Sequence, residues 1–266
     1  MSRLSDLFTC CKREQRAALV GYLTAGDPDQ TTSEALLLAL AEHVDILEIG
    51  MPFSDPMADG PVIQAASERA LASGSHIQDV FRLTSIVRSQ FPKIGIVLMG
   101  YANIPFVMGF DHFAKQAVDA GADAALLVDI PPEEGHICDD IFRQHGLDRI
   151  LLLSPTSSEE RIKLTCQHAS GFIYYVSLNG ITGADMGEIT SVKQQVSSIR
   201  QHTDLPICVG FGIKTAAQAK AVGQFSDGVV VGSHFVSTIP SHMDKKEMIE
   251  PALSQAAKAI KDAMIL

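Results

Sequence analysis

Two carboxylates stand out for where they fall in the chain. Glu48 closes an apolar run, "VDILEI" at 44–49, and Asp59 follows eleven residues later inside "GMPFSDPMADGP". A carboxyl group at the end of a buried strand loses hydration. That penalises its charged form and lifts its pKa toward neutrality, where a general acid or base works. The same position also suits a glutamate that caps a neighbouring helix or pairs with a lysine, and sequence position alone leaves these readings level. Asp59 taken alone reads first as a turn residue, because Ser-Asp-Pro and Ala-Asp-Gly-Pro are ordinary turn sequences and Pro61 fits the first position of a following helix. Asp129, just ahead of Pro131 and Pro132, carries the same ambiguity.

A second set of residues is suited to holding an anion. "GFG" at 210–212, and Gly232 followed by Ser233, each end an apolar run. Glycine lets the backbone approach an anion closely, and N–H groups at a helix start neutralise it without lysine or arginine. Singly, such glycines make turns. Together, Gly212, Gly232 and Ser233 point to a phosphate. Other polar or bulky groups at run ends are Tyr22, Thr24 and Asp27, then Asp55, then Met99, Tyr101 and Asn103, then Tyr174 and Ser177.

Other chemistries lack their residues. A Schiff-base lysine is missing from the run ends: Lys93 precedes its run, and Lys214 lies beyond the 210–212 glycines. The nine histidines are dispersed with no His-x-His pair; His43, His145 and His202 read as surface residues on helix ends, and His234 as a neighbour of the anion loop. Five cysteines, an odd number with no Cys-x-x-Cys, fit neither a disulfide framework nor a zinc site and suit a reducing, cytoplasmic setting. Cys208 sits inside an apolar run, and Cys10 and Cys11 lie on the first helix. What is left is carboxylate acid–base chemistry on a phosphorylated substrate, without a cofactor.

These residues need a scaffold that brings run ends together. Eight short apolar runs recur, near 18–23, 44–49, 94–100, 122–130, 149–154, 172–177, 206–211 and 227–232. They are near-continuous rather than alternating, as expected of parallel strands covered on both faces. Helical patterns fill the gaps, among them 31–43, 111–122 (ending at a C-cap glycine), 215–225 (after a threonine N-cap) and 246–266, with a further helix at 2–13 before the first run. Eight strand–helix units in 266 residues predict one domain, 1–266, an α/β protein folded as a (β/α)8 TIM barrel with an extra N-terminal helix. An open doubly wound sheet is the alternative, but no G-x-G-x-x-G follows the first strand. In a barrel the functional groups gather at the strands' C-terminal ends, and the loops after strands seven and eight hold phosphate. The net charge of −10, with lysine and arginine scattered, argues against a nucleic-acid partner. The longest uncharged stretch, 94–110, is broken by Gly, Asn and Pro and is short for a membrane span.

"LEIGMPFSDPMADGPVIQ" at 47–64 closely resembles the signature of the tryptophan synthase α-subunit family, and the likeness continues through "GYLTAGDP", "MGYANIPF", "LLVDIPPEE", "YYVSLNGITGA", "GFGI" and "VVVGS". The resemblance implies a lyase of L-tryptophan biosynthesis. Such a lyase cleaves indole-3-glycerol phosphate to indole and glyceraldehyde 3-phosphate with no metal or organic cofactor. It implies catalytic roles for Glu48 and Asp59 and places Tyr174, Tyr22, Met99, Tyr101, Asp129 and Thr182 around the substrate. Gly183, Gly212, Gly232 and Ser233 are implied at its phosphate. It also implies a pyridoxal-phosphate-dependent β subunit as partner in an α2β2 complex, docked on the loops that hold Pro56 and 103–106. Tyr22 stands where phenylalanine is common in the family, adding a hydroxyl that needs a partner. Leu178 and Asn179 fall in a lid stretch, 178–188, where relatives also carry polar residues. A different phosphate-barrel isomerase, a free-standing indole-releasing lyase and a non-catalytic regulatory subunit are the rival readings.

Overall fold

The computed structural model describes residues 2–176, 186–210 and 212–265. Its strands are β1 (Ala18–Thr24), β2 (Ile46–Gly50), β3 (Gly95–Gly100), β4 (Ala124–Leu127), β5 (Asp148–Arg149), β6 (Leu151–Leu153), β7 (Ile173–Val176), β8 (Ile207–Gly210) and β9 (Gly228–Val231). All form one sheet in the order β5-β4-β3-β2-β1-β9-β8-β7-β6, and every pairing is parallel. β5 and β6 are two halves of the single run read at 149–154. The first half pairs with β4 and the second with β7, so the chain changes partner at Ile150 and the two ends of the sheet meet there. The nine segments are therefore the eight strands of a barrel, one of them divided by the closure itself.

The helices are α1 (Arg3–Arg13), α2 (Gln30–Ala41), α3 (Pro61–Ala72), α4 (Ile77–Gln90), α5 (Asn103–Met108), α6 (Phe110–Ala120), α7 (Asp139–His145), α8 (Glu159–His168), α9 (Met186–Ile199), α10 (Ala216–Gly223), α11 (Ser233–Val236) and α12 (Ile249–Ile265). Their ends follow local chemistry. Asp29 caps α2, and Thr215 caps α10 in a reciprocal capping box with Gln218. Gly121 stops α6 with a φ of 100°. The last helix starts later than the pattern at 246–266 suggests. Pro251 lacks an N–H and its ring clashes with the carbonyl four residues back, so it is tolerated only in a first turn. The helix accordingly begins at Ile249, after an irregular 3-10 stretch, Pro240–Met248.

Two cores result. The larger lies between the sheet and the helical ring. The smaller fills the barrel, where inward-facing residues such as Val20, Ile46, Val97, Ala124, Ile150 and Cys208 meet Leu4, Phe8 and Cys11 of α1. Those three α1 residues recur at spacings of four and three and form one buried face. The helix thus stoppers the N-terminal mouth of the barrel. Phe8 meets Phe172 edge-on at 5.8 Å, and Gly95 leaves the room that Leu4 occupies, since a Cβ there would lie 2.7 Å from the Leu4 side chain. No helix among the described residues is long and apolar enough to cross a membrane.

Leu4 is fully buried at this stopper. Leu4→Ala is expected to lower unfolding free energy by about 2–5 kcal/mol, the usual cost of a buried leucine cavity, while ligand affinity at the opposite barrel end is unchanged. Urea denaturation and a binding titration check both halves.

Candidate active site

Side chains alternate along a strand, so with Ile46 in the barrel core Glu48 also faces inward, at the C-terminal end of β2. Glu48 is 2 % exposed. Its register neighbours are Tyr22 on β1 and Val97 on β3. It makes no hydrogen bond or ion pair with any described residue, which removes the helix-cap and lysine-pair readings among them. Burial first, and then the nearby charge of Asp59, push its carboxyl up to about 8. Glu48 thus holds a proton at neutral pH.

Asp59 reaches the same region from the loop between β2 and α3. The loop is braced from within: the Asp59 N–H donates to Pro56 O (3.0 Å), and Gln64 Nε2 donates to Asp59 O (2.9 Å). Gly60 is the N-cap of α3 and Pro61 its first residue, as the turn chemistry predicts. Tyr101, buried at the end of β3, donates its hydroxyl to Asp59 Oδ2 (3.0 Å) and accepts the Ala58 N–H (2.9 Å). Phe53 packs on the Tyr101 ring at 5.2 Å. Burial raises the Asp59 pKa, and the Tyr101 hydrogen bond opposes that rise. The two carboxyls thus sit in unequal surroundings, Glu48 buried in the barrel and Asp59 half-buried under a tyrosine hydroxyl.

Tyr22 answers for its extra hydroxyl locally, sharing a hydrogen bond with Thr24 Oγ1 at 3.1 Å. Burial holds the Tyr22 and Tyr174 hydroxyls well above the ordinary phenol range, so both are neutral. Tyr174, on β7, lies over Gly210; a Cβ at 210 would stand 2.5 Å from its hydroxyl, so only glycine admits the ring.

A cleft of about 750 Å³ opens at this end of the barrel, lined by Asp59, Met99, Asp129 and Tyr174 among others. Its walls are mostly apolar, with Ile63, Leu127 and Val176, and its rim carries the Ser154, Thr156 and Ser157 hydroxyls. Such a mixture accepts an aromatic ring with a polar tail. Asp129 is exposed, and its Oδ1 accepts the Ala102 N–H at 2.8 Å, tying two rim loops together. Tyr22, Tyr101 and Glu48 are buried and are not themselves part of this cleft's lining.

Two of the glycines read as phosphate contacts, Gly212 and Gly232, lie among the described residues. Gly212 has a left-handed φ of 59°, and Gly232 precedes the short helix α11, whose first residue is Ser233. A Cβ at Gly232 would lie 3.6 Å from Tyr22 and 3.9 Å from Ile63, a cleft residue, so this loop end adjoins the cleft. Burial first, and then the Lys214 charge, lower the His234 pKa from its ordinary value. Thr182 and Gly183, with Leu178 and Asn179, lie outside the described residues. Among the described residues no cluster of three or more His, Cys, Asp or Glu could hold a metal ion. Sequence reading passed over Phe53 and Gln64 as individual supports. Their signal was only that they sit inside the 47–64 motif.

Barrel, inward-facing carboxyl, loop carboxyl and cleft together define a (β/α)8 protein with a ligand-sized site at the C-terminal ends of its strands. Comparison narrows the class. The tryptophan synthase alpha chain family profile matches residues 8–265. The tryptophan synthase alpha chain of Zymomonas mobilis is 46 % identical over 265 residues, 99 % of this chain and 97 % of that one. That of Thiobacillus denitrificans is 50 % identical over 241 residues, 90 % of this chain and 88 % of that one. The crystal structure of tryptophan synthase subunit alpha from Legionella pneumophila superposes with a TM-score of 0.92 at 39 % identity, covering 99 % of this chain and 98 % of that one. The chain belongs to the tryptophan synthase alpha chain family.

The raised Glu48 pKa has a stability signature. The unfolded chain releases this proton near its ordinary 4.5, whereas the folded chain keeps it to about 8. Unfolding therefore releases a proton between those values, and stability falls as pH rises through the window. Glu48→Gln removes the dependence. Urea denaturation from pH 5 to 9 should show the variant gaining on the wild type as pH rises.

Proposed function

We propose that the protein is a carbon–carbon lyase that cleaves indole-3-glycerol phosphate to indole and glyceraldehyde 3-phosphate in tryptophan biosynthesis, with Glu48 and Asp59 as its catalytic pair. The observation that carries this reading is the buried, inward-facing Glu48 at the end of β2, with the tyrosine-anchored Asp59 lining the apolar cleft at the same end of the barrel. Glu48 gives its proton to indole C3, which turns the ring into an electron sink. The positive charge then developing on the indole nitrogen is met by the Asp59 carboxylate, which accepts the ring N–H. Glu48, now ionised, takes the proton of the glycerol hydroxyl. The C–O bond becomes a carbonyl, the C3–glycerol bond breaks, and its electron pair returns to the ring. One proton leaves Glu48 and one returns, so the enzyme ends unchanged.

Around this pair, Tyr174 and Met99 bound the ring, and Tyr22 and Tyr101 support it from behind. Asp129 serves the polar tail. Gly212, Gly232 and Ser233 hold the phosphate through backbone N–H groups, and Gly183 and Thr182, outside the described residues, are assigned to the phosphate and the substrate on the family motif alone. An exposed apolar surface supports a partner. Met57, Phe106 and Val107 are 78 %, 72 % and 77 % exposed on the segments after β2 and β3. A β subunit that uses pyridoxal phosphate to join indole to serine fits this face in an α2β2 assembly, and a structure of Mycobacterium tuberculosis tryptophan synthase matches the chain with a TM-score of 0.91 at 34 % identity, covering 100 % of this chain and 99 % of that one. The five cysteines, all free, suit a cytoplasmic setting.

Release of glyceraldehyde 3-phosphate from indole-3-glycerol phosphate, with and without added β subunit, tests the reading. Turnover should rise on adding β. Glu48→Gln should lose at least about a hundredfold in kcat, the usual share of a general acid–base group, while still binding a non-cleavable indole phosphate. Near wild-type turnover in that variant would contradict the assignment.

A further inference from the structure

A buried arginine away from the cleft is wired to its wall. Arg149, on β5 and 4 % exposed, donates from Nη2 to the carbonyls of Ile130 (2.9 Å) and Pro131 (3.3 Å). Both of those residues line the cleft; Arg149 does not. Its Nη1 pairs with Asp139, whose other oxygen meets His168 Nδ1 at 2.8 Å, at the end of α8. Asp129, one residue before Ile130, accepts the Ala102 N–H. Ala102 follows Tyr101, and Tyr101 donates to Asp59. Each step from Arg149 to Asp59 is a hydrogen bond or an adjacent residue.

We propose that Arg149 is a positioning residue for the reaction: by gripping the Ile130 and Pro131 carbonyls it places Asp129, and through Ala102 and Tyr101 it orients Asp59 toward the substrate ring. The proposal rests on the role given to Asp59 above. Pro131 and Pro132 have no N–H of their own to anchor the stretch; Pro131 O also accepts the Glu134 N–H at 3.1 Å, whereas the Ile130 carbonyl, among the described residues, is held by Arg149 alone. A guanidinium is suited to this, since its fixed fork serves two carbonyls and a carboxylate at once. Asp139 balances its charge, so burial is tolerated. Lysine could keep the ion pair but not the fork.

Arg149→Lys and Tyr101→Phe, singly and together, test the wiring. Arg149→Lys should fold, because Asp139 keeps a counter-charge. Its kcat/KM should fall about two- to thirtyfold, the range of coupling through packed networks. The acid limb of its kcat/KM profile should move to higher pH, as in Tyr101→Phe, because the hydrogen bond holding the Asp59 pKa down is loosened. The double variant should lose little beyond Tyr101→Phe alone. Unchanged kcat/KM and acid limb in folded Arg149→Lys, or losses that simply add, would overturn the proposal. Titration of the Asp59 carboxyl by NMR in the same variants gives a readout that needs no turnover. If the wild type does not cleave the substrate, the function fails, yet an unmoved Asp59 titration in Arg149→Lys still refutes the wiring on its own.

Discussion

The site depends on one constraint, a carboxyl group taken out of water with no described residue opposite to balance its charge. Ionising Glu48 inside the barrel costs solvation that no described cation or hydrogen-bond donor returns, and Asp59 raises the cost further. The fold meets this by leaving the proton in place. A strand end is the right position for such a group, because backbone ladders on both sides fix Glu48 against Tyr22 and Val97 and give it little freedom to turn toward solvent.

Asp59 is held in another way. It comes from a loop, half-buried, and a tyrosine hydroxyl donates to it, opposing the rise in pKa that burial causes. In the proposed reaction, a lysine or arginine in that place would neutralise the carboxylate assigned to the ring nitrogen. Tyr101 in turn is packed by Phe53 and linked through Ala102 to Asp129, so three rim loops share one set of bonds. The apolar residues Met57, Phe106 and Val107 stand on two of these same segments. A partner docking there presses on the elements that place Asp59, which gives a physical route from assembly to catalysis.

Much of this was legible in the residues. Continuous apolar runs announced buried parallel strands, and the structure forms them at every position read, with the run at 149–154 divided where the sheet closes. From its position alone Glu48 read as ambiguous, and only the 47–64 motif marked it as catalytic, because burial with no partner among the described residues is a tertiary fact. The Asp59 loop was legible as turn chemistry and, through the 47–64 motif, as a family mark; its dependence on Tyr101 was not, since the two lie 42 residues apart. The start of α12 was misjudged because periodicity ignores the clash that Pro251 imposes. Arg149 carried no signal at all: an arginine beside an apolar run reads as a strand edge until its fork is seen on two carbonyls.

The central claim is that Glu48 is protonated at neutral pH and owes this to burial and to Asp59. Selective labelling of the glutamate side-chain carboxyl carbons, with Glu48 assigned by its absence in Glu48→Gln, allows its titration to be followed by NMR in the wild type and in Asp59→Asn. A midpoint near 8 is expected in the wild type, set by burial and the Asp59 charge, and a lower one once the neighbouring charge is gone. A Glu48 carboxyl that titrates near its ordinary 4.5 in the folded protein, indifferent to Asp59, would contradict it.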